Sequence, residues 1–259
     1  MFYEEFDAAP DLAAHVAQYW TMRVTPDVSP GFPHRIFPDG CIALAVRASP
    51  SGGVALVGPR AAAFTVPVFP GDRYWGVRFW PDAGGLVLGV PARSLAGVVG
   101  DATAVLGRPA ATALADALRS CRASPEAGAV FDDALRPRVG AAPALDPVVR
   151  AAVVGLVASR GEVSVAELAR EVGVSARQLQ RRFGAAVGLG PKQFARVRRL
   201  RTAIGELLTT EPRSWSAVAA DLRYADQAHL VREFVQLAGL TPAAVAGAVR
   251  AITHGRVTP

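Results

Sequence analysis

Cysteine is scarce in this chain, since only Cys41 and Cys121 occur among its 259 residues. Two thiols cannot build the disulfide framework that stabilises small secreted domains. No apolar run reaches the roughly 18 residues that a membrane-spanning helix needs, although 51% of the residues are hydrophobic. The acidic start, with Glu4 and Glu5, does not resemble a basic secretory signal. These absences predict a soluble cytoplasmic protein without a membrane partner.

Patterns of catalytic residues are also missing. The glycine-rich segment 84–89 lacks the ordered fingerprint of a phosphate-binding loop. No pair of carboxylates and no serine–histidine constellation can be assembled, so we expect neither an enzyme nor a bound cofactor. His34 and Cys41 are candidate metal ligands, but two donors seven residues apart do not make a site, and no metal is expected.

Charge is divided unevenly along the chain. Residues 1–149 contain 12 basic and 14 acidic residues, a net charge of −2, whereas residues 150–259 contain 16 basic and 8 acidic residues, a net charge of +8. Most of the excess lies between Arg170 and Arg201, where Glu171 is the only acid. A segregated cationic region attracts polyanions and binds them in a salt-dependent way. The second part of the chain is therefore the candidate for nucleic-acid binding.

A helix-turn-helix pattern begins at Ser164, which fits a capping box with Glu167. Gly173 suits the left-handed residue that ends a helix without a Cβ penalty. Ser175 and Gln178 repeat the capping box and start the next helix. Two short helices joined by a tight turn are therefore predicted.

The second helix of this unit has the side chains that a recognition helix needs. Leu179 and Phe183 share its buried face, so Arg177, Gln180 and Arg181 point away from the core. Arginine can donate two hydrogen bonds to guanine, and glutamine can pair with adenine in the major groove. The alternative interpretation is a helical hairpin whose charges only face water.

A second pattern of the same kind occupies residues 217–234, with its turn at 223–225. A helix that begins near Pro191 joins the two units. Its apolar stripe consists of Phe194, Val197, Leu200, Ile204, Leu207 and Leu208. Two recognition helices held in tandem would enter successive major grooves, which lie about 34 Å apart.

Both units resemble the AraC/XylS-type DNA-binding domain. The matching segments are 169–175, 180–183 and 190–191 in the first half, and 226–230 with Arg232, Phe234, Gly239, Thr241 and Pro242 in the second. The resemblance implies double-stranded promoter DNA and RNA polymerase as partners, and activation rather than repression. On this basis the predicted DNA-binding residues are Arg177, Gln178, Gln180, Arg181, Arg182, Gln227, His229 and Arg232.

The chain departs from that pattern in its second unit. Glycine is usual where Arg223 stands, a polar capping residue where Ala225 stands, and serine is common where Ala228 stands. We therefore expect the second recognition helix to be less well capped and to contribute less sequence readout.

The first 140 residues predict a small antiparallel sheet or barrel with trailing helices. Strand patterns occupy 41–47, 54–57, 63–68 and 74–80, and helical patterns occupy 83–88, 111–121 and 126–135. The proline- and alanine-rich segment 137–147 predicts a linker, with Asp146 as the cap of the next helix. The expected fold class is α+β, with a sensor or dimerisation domain at 1–140 and an all-α double helix-turn-helix domain at 141–259.

The front part resembles a functionally uncharacterised domain that precedes AraC-type domains in bacterial regulators. The residues that carry this resemblance are Phe-Pro-Asp-Gly-Cys at 37–41, Gly-Pro-Arg at 58–60 and the segment 76–81. It implies a module that senses a small molecule, forms a homodimer, or does both.

Aromatic and arginine side chains of the front part predict an effector pocket. Its candidate residues are Arg35, Trp75, Arg78 and Trp80. The alternative is that the aromatic rings fill a small core while the arginines are solvated or paired.

The preferred hypothesis is a sequence-specific transcription regulator, an activator controlled by an effector at its front domain. One alternative is a DNA-repair-linked regulator with a reactive Cys41, although no neighbouring histidine activates that thiol. Another is an architectural protein that binds nucleic acid without base readout. Equal affinity for unrelated duplexes would favour the architectural protein, and preference for one promoter would favour the regulator.

Overall fold

The structure is a computed structural model that describes residues 1–206 and 214–254. The strands of this part are β1 (Phe2–Phe6), β2 (Val16–Arg23), β3 (Phe32–Ile36), β4 (Ala43–Arg47), β5 (Val54–Val57), β6 (Phe64–Val68), β7 (Arg73–Phe79), β8 (Val99–Asp101) and β9 (Thr253–His254). Seven of them form a sheet in the order β8-β5-β4-β7-β2-β1-β9, and β3 pairs with β6 separately. All pairs are antiparallel except β1 with β9. The sheet has two ends and is therefore open rather than a closed barrel.

The helices follow mostly after the sheet. They are α1 (Gly84–Leu88), α2 (Thr103–Leu106), α3 (Arg108–Ser120), α4 (Ser124–Ala141), α5 (Pro147–Ala158), α6 (Val165–Glu171), α7 (Ala176–Val187), α8 (Pro191–Glu206), α9 (Trp215–Asp221), α10 (Gln227–Ala238) and α11 (Pro242–Arg250). A short 3-10 helix spans Ala92–Leu95. The α+β fold class, with an antiparallel sheet before a helical tandem, is confirmed.

The front part is larger than its sequence patterns predicted. The four predicted strands correspond to β4 through β7 and agree within two residues at each end. The interior strand β2 was missed, because its buried positions do not alternate strictly. A register shift between Val16 and Gln18 interrupts its pairing with β7 and explains the irregular pattern.

The core of the front part lies between one face of the sheet and helices α3 and α4. Tyr19 of β2 stacks on Phe131 of α4 with ring centroids 4.9 Å apart, and both residues are fully buried. The Tyr19 hydroxyl donates a hydrogen bond to Asp132 Oδ1 at 2.8 Å. Such aromatic pairs contribute roughly 0.5–1.5 kcal/mol beyond the burial of their surface. The helices are therefore fixed components of the front part.

The prediction of a linker at 137–147 is wrong for residues 137–141, which are helical. Helix α4 continues to Ala141 with Pro137 inside it, and only residues 142–146 connect it to α5. Asp146 caps α5 as predicted, because its side chain accepts from the amides of Val148 and Val149. The connection between the two parts is thus shorter than the composition indicated.

The helical part contains two apolar clusters that share α8. Phe194, near the start of α8, packs on Phe183 of α7 with ring centroids 5.6 Å apart. Leu200 and Ile204, further along α8, pack in the second cluster with α9, α10 and α11. The prediction that this helix braces the two units is confirmed, while residues 207 and 208 of the predicted stripe lie outside the described residues.

The front part packs against both helical clusters. Gly40 has a φ of +75°, and a Cβ added there would lie 2.7 Å from the ring of Phe194 in the first cluster. At the second cluster, the Ala63 amide donates to the Leu237 carbonyl at 2.7 Å. In addition, β9 pairs with the front strand β1. A change in the front part can therefore reach both helix-turn-helix units.

Candidate nucleic-acid interface

The first helix-turn-helix unit consists of α6 and α7. The capping box of Ser164 and Glu167 starts α6, and that of Ser175 and Gln178 starts α7, both as predicted. Gly173 between the helices has a φ of +72°, the left-handed conformation that glycine adopts without strain. These local hydrogen bonds fix where each helix begins and therefore which face α7 exposes.

Helix α7 presents a polar face to solvent. Leu179 and Phe183 are fully buried, whereas Arg177, Gln180 and Arg181 are exposed. Arg177 and Arg181 are four residues apart and so lie on one side of the helix. Within the described residues, neither guanidinium has a hydrogen-bond or ion-pair partner, so both are free to contact DNA.

Two further residues of α7 have structural partners. The Gln178 side-chain oxygen accepts from the backbone and the hydroxyl of Ser175 at 3.0 and 2.9 Å. Arg182 donates through Nε to Asp146 Oδ2 at 2.9 Å and through Nη2 to Oδ1 at 2.5 Å. These hydrogen bonds lower the pKa of Asp146 below its usual value. Arg182 therefore ties the recognition helix to the start of α5, and Gln178 caps it.

The second unit consists of α9 and α10, and its recognition helix is well capped. Asp226 is the N-cap of α10 and accepts from the His229 amide at 2.6 Å. The His229 ring accepts in return from the Ala225 amide through Nδ1 at 3.2 Å. The expectation of a weakly capped helix is wrong because Asp226 supplies the cap in place of Ala225. His229, predicted to bind DNA, helps to start the helix.

Helix α10 also has an exposed polar face. Gln227 and Arg232 are exposed, while Leu230 and Phe234 are buried. Arg232 Nη2 lies 4.0 Å from Asp226 Oδ1, a loose ion pair in which both side chains are more than 60% exposed. Such a pair holds the guanidinium weakly, so it can be exchanged for a DNA contact.

The turn of the second unit is strained at the position where glycine is usual. Arg223 has a φ of +54° and is one of two non-glycine residues with positive φ in the described chain. Its Nε forms an ion pair with Glu162 Oε2 at 3.1 Å while the side chain remains 75% exposed. The left-handed conformation costs a residue with a Cβ roughly 1–2 kcal/mol.

We predict that Arg223→Gly raises the stability of the protein. Removal of this strain outweighs the exposed ion pair and the added entropy of the unfolded chain, leaving a gain of about 0.5–1 kcal/mol. The expected rise in Tm in thermal unfolding is about 1–4 °C. Gly173→Arg, the reverse change at the equivalent turn, should lower it. A fall in Tm for Arg223→Gly would show that the Glu162 pair matters more than the backbone.

Three arginines of α8 are partly buried rather than free on the surface. Arg196 forms hydrogen bonds with both carboxylate oxygens of Glu233 on α10, at 2.7–3.1 Å. Arg198 is partly buried, and this burial lowers its pKa. The Arg199 guanidinium lies 5.5 Å from the centre of the Tyr224 ring. The cationic surface is therefore smaller than the charge count alone indicated.

Four of the cations that remain exposed in the described helical part lie on and beside the first recognition helix. They are Arg170, Arg177, Arg181 and Lys192. This distribution places exposed positive charge where the predicted base-reading residues of α7 lie.

Glu233 was missed as a site-forming residue, although the sequence contained a signal for it. It lies on the buried stripe of α10, three residues after Leu230 and four residues before Leu237, and is 7% exposed. A carboxylate in a stripe of apolar residues predicts a buried partner. That partner is Arg196, which joins the bracing helix to the second recognition helix.

The four predicted effector residues do not line one pocket. Trp75 is 2% exposed in the core, and Trp80 donates to the Ala13 carbonyl at 3.0 Å. Arg35 donates to the Ala238 carbonyl at 3.2 Å and so joins the front part to the helical part.

The fourth residue, Arg78, is held by two carboxylates. Its Nε lies 2.7 Å from Asp39 Oδ2, and its Nη1 lies 3.2 Å from Glu5 Oε1. The alternative interpretation, in which aromatic rings fill the core and the arginines are paired, describes these contacts better.

Cys41 has the surroundings of an inert thiol. It is 8% exposed, and burial raises the pKa of its thiol, with Asp39 adding to the effect. The reactive cysteine of a DNA-repair-linked regulator needs a thiolate, which these surroundings disfavour. In the described ranges, no group of three or more metal-ligating side chains occurs, and no helix is long and apolar enough to cross a membrane.

The geometry defines a class: a protein with two helix-turn-helix units, each with an exposed polar recognition helix, braced by one shared helix. Residues 168–247 match a family model described as a helix-turn-helix domain, and residues 4–101 match a domain of unknown function (DUF6597). The chain therefore combines a DNA-binding domain of the AraC type with that N-terminal domain. No curated protein matches the chain.

Solved structures from two bacteria are similar to this chain. A transcriptional regulator from Chromobacterium violaceum, with an AraC-type DNA-binding domain, is 26% identical and has a TM-score of 0.37, over 39% of this chain and 90% of that chain. ToxT from Vibrio cholerae is 11% identical with a TM-score of 0.46, over 95% and 96%. ToxT with a bound unsaturated fatty acid is 11% identical with a TM-score of 0.45, over 98% and 96%.

Proposed function

We propose that this protein is a sequence-specific transcription regulator whose helices α7 and α10 read neighbouring major grooves of promoter DNA. The observation that carries the proposal is the exposed polar face on both recognition helices, each fixed by caps and by a buried apolar face. A surface that only attracted DNA would need no such repeated arrangement. The DNA-binding domain corresponds to residues 141–259 and the regulatory domain to residues 1–140.

The predicted DNA-binding residues divide into two roles. Base reading belongs to the exposed side chains of Arg177, Gln180 and Arg181 on α7, and of Gln227 and Arg232 on α10. Positioning belongs to Gln178, Arg182 and His229, whose hydrogen bonds hold the helix starts. Substitution of a positioning residue should therefore lower protein stability as well as DNA affinity.

The regulatory output is activation through contact with RNA polymerase, a proposal supported by the resemblance to AraC/XylS-type regulators. The front domain is the sensor of a small-molecule effector and the site of homodimer formation. Its contacts with both helical clusters support this role, because an effector acts only by favouring one of two states of the whole protein. The cytoplasm is the compartment that such a regulator requires.

A selection of DNA duplexes from a random pool tests the proposal. The full chain should enrich a bipartite site whose two halves lie about 10 base pairs apart, the spacing of successive major grooves on one face. Affinity should fall as salt rises, because phosphate contacts release counterions. A pool that shows no enrichment would support an architectural protein and contradict the regulator.

A further inference from the structure

A cleft in the front domain lies where the sheet meets the turn between α3 and α4. Its volume is about 240 Å³. Residues from β1, β2 and β7 form the sheet side, and the segment after α3 closes the other side. The lining residues used below are Glu4, Arg23, Arg73, Trp75, Arg122 and Ser124.

Three guanidinium groups belong to this cleft. Arg23 and Arg73 are neighbours across the β2–β7 pairing, and Arg122 follows α3. Arg73 is fixed by its hydrogen bond to the Arg122 carbonyl at 2.9 Å. Burial, and then the charges of Arg23 and Arg122, lower the pKa of Arg73, so the positive charges repel one another.

One carboxylate faces this cationic group. Glu4 Oε2 accepts from the Ser124 hydroxyl at 3.2 Å. Three arginines and one glutamate leave a formal charge of +2 in the lining. An incoming anion would relieve the repulsion among the three guanidinium groups. Arginines scattered over a surface in water repel one another far less.

One residue that lines the cleft carries a hydrogen-bond donor without an acceptor. Trp75 is 2% exposed, and its indole Nε1 has no partner among the residues that the structure describes. A buried N–H group that lacks an acceptor is costly and is normally satisfied by protein, water or ligand. Of the four effector residues predicted from the sequence, Trp75 is the one that lines this cleft.

We propose that this cleft binds the oxyanion group of a small metabolite, a carboxylate or a phosphate. The arginine forks supply paired donors that match such groups, and the Trp75 N–H supplies a further donor. Arg23 lies 4.4 Å above the Phe2 ring, which orients its guanidinium. An effect of this site on DNA binding rests on the proposed function, whereas anion binding itself does not.

The position of the cleft connects it structurally to the DNA-binding domain. Glu4 of the lining lies on β1, and β1 pairs with β9 at the end of the helical part. An anion bound between Arg23 and Arg73 would add negative charge beside this strand and draw the two guanidinium groups together. The site therefore includes a residue of β1, the strand that pairs directly with the end of the helical part.

Calorimetric titration of the full chain tests the proposal, with citrate and inorganic phosphate as separate probes at matched ionic strength and without DNA. At least one probe should bind saturably at micromolar to millimolar concentration, and the stronger probe identifies the preferred group. Arg23→Gln should weaken its binding about tenfold, since one charged hydrogen bond is lost. Trp75→Phe, which keeps a ring and removes the N–H, should also weaken it.

Two matched variants locate the binding site. Arg108→Gln, an exposed arginine elsewhere in the front domain, should leave anion binding unchanged. Arg177→Gln, on the recognition helix, should also leave it unchanged. The proposal is overturned if neither probe binds saturably, if Arg23→Gln binds as well as the unaltered protein, or if Arg177→Gln alone loses binding. None of these results bears on whether the chain selects a DNA sequence, which the duplex selection tests separately.

Discussion

Arg181→Ala should weaken binding to the selected duplex by about 5- to 150-fold and change affinity for unrelated DNA far less. A bidentate contact between arginine and guanine contributes roughly 1–3 kcal/mol of discrimination. Arg181 is exposed on the polar face of α7, and no described residue holds its guanidinium. The alanine side chain keeps the helix intact, so the loss reports the base contact itself.

Lys192→Ala is the matched control for this prediction. Lys192 is exposed near the start of α8, outside the recognition helix, and suits a phosphate contact. Its loss should weaken specific and unrelated DNA equally and reduce the slope of log affinity against log salt by about 1. Titrations of both variants at several salt concentrations make the comparison. Equal losses on both duplexes for Arg181→Ala would make Arg181 a phosphate contact as well.

Features that depend on neighbouring residues could be predicted from the sequence. The capping boxes at Ser164 and Ser175 connect residues three apart, so the sequence alone predicts both. Gly173 has the positive φ that its place between two helices predicted, and Arg223 has a positive φ where glycine is usual. Local hydrogen bonding and backbone sterics therefore determined the helix-turn-helix units and their exposed faces.

Partners that are distant in sequence could not be predicted in this way. Arg182 pairs with Asp146, 36 residues away, and Arg196 pairs with Glu233, 37 residues away. A count of charges treats all these arginines as free, whereas tertiary packing engages them. The same limit explains why the sequence predicted one pocket from Arg35, Arg78 and two tryptophans. In the structure these side chains contact different parts of the protein.

Missed strands have a related explanation. Strand β1 contains Glu4 and Glu5 among aromatic residues, and only Glu5 of the strand is fully buried. The strand is defined by pairing with β2 and with β9, which is about 250 residues away in the chain. A pattern of five residues cannot contain information about such a partner.

Of the single substitutions proposed here, Glu233→Ala should have the largest effect on stability, lowering the free energy of unfolding by about 3 kcal/mol. Glu233 is 7% exposed, and its carboxylate accepts three hydrogen bonds from Arg196. Breaking a buried pair leaves the remaining charge uncompensated, which costs about 3–5 kcal/mol when burial is complete. Since the Arg196 side chain is 24% exposed, the lower end of that range applies.

Thermal unfolding and DNA titration measure the two consequences. The expected fall in Tm is about 6–12 °C, at 2–4 °C for each kcal/mol in a chain of this size. Because the pair joins α8 to the second recognition helix, binding to the selected duplex should also weaken. Asp11→Ala is the matched control, since Asp11 and Arg136 form an ion pair with both side chains about half exposed. It should change neither measurement appreciably.

A double variant separates the cost of the unpaired charge from the loss of packing. Arg196→Leu combined with Glu233→Leu removes both charges and keeps apolar volume between α8 and α10. Replacing a buried ion pair with apolar residues is often neutral or stabilising, so the double variant should regain most of the lost Tm. If it remains as unstable as Glu233→Ala, the pair acts through its geometry rather than its charge. In that case specific DNA binding should stay impaired in both variants, because only the arginine–glutamate fork would hold α10 in place.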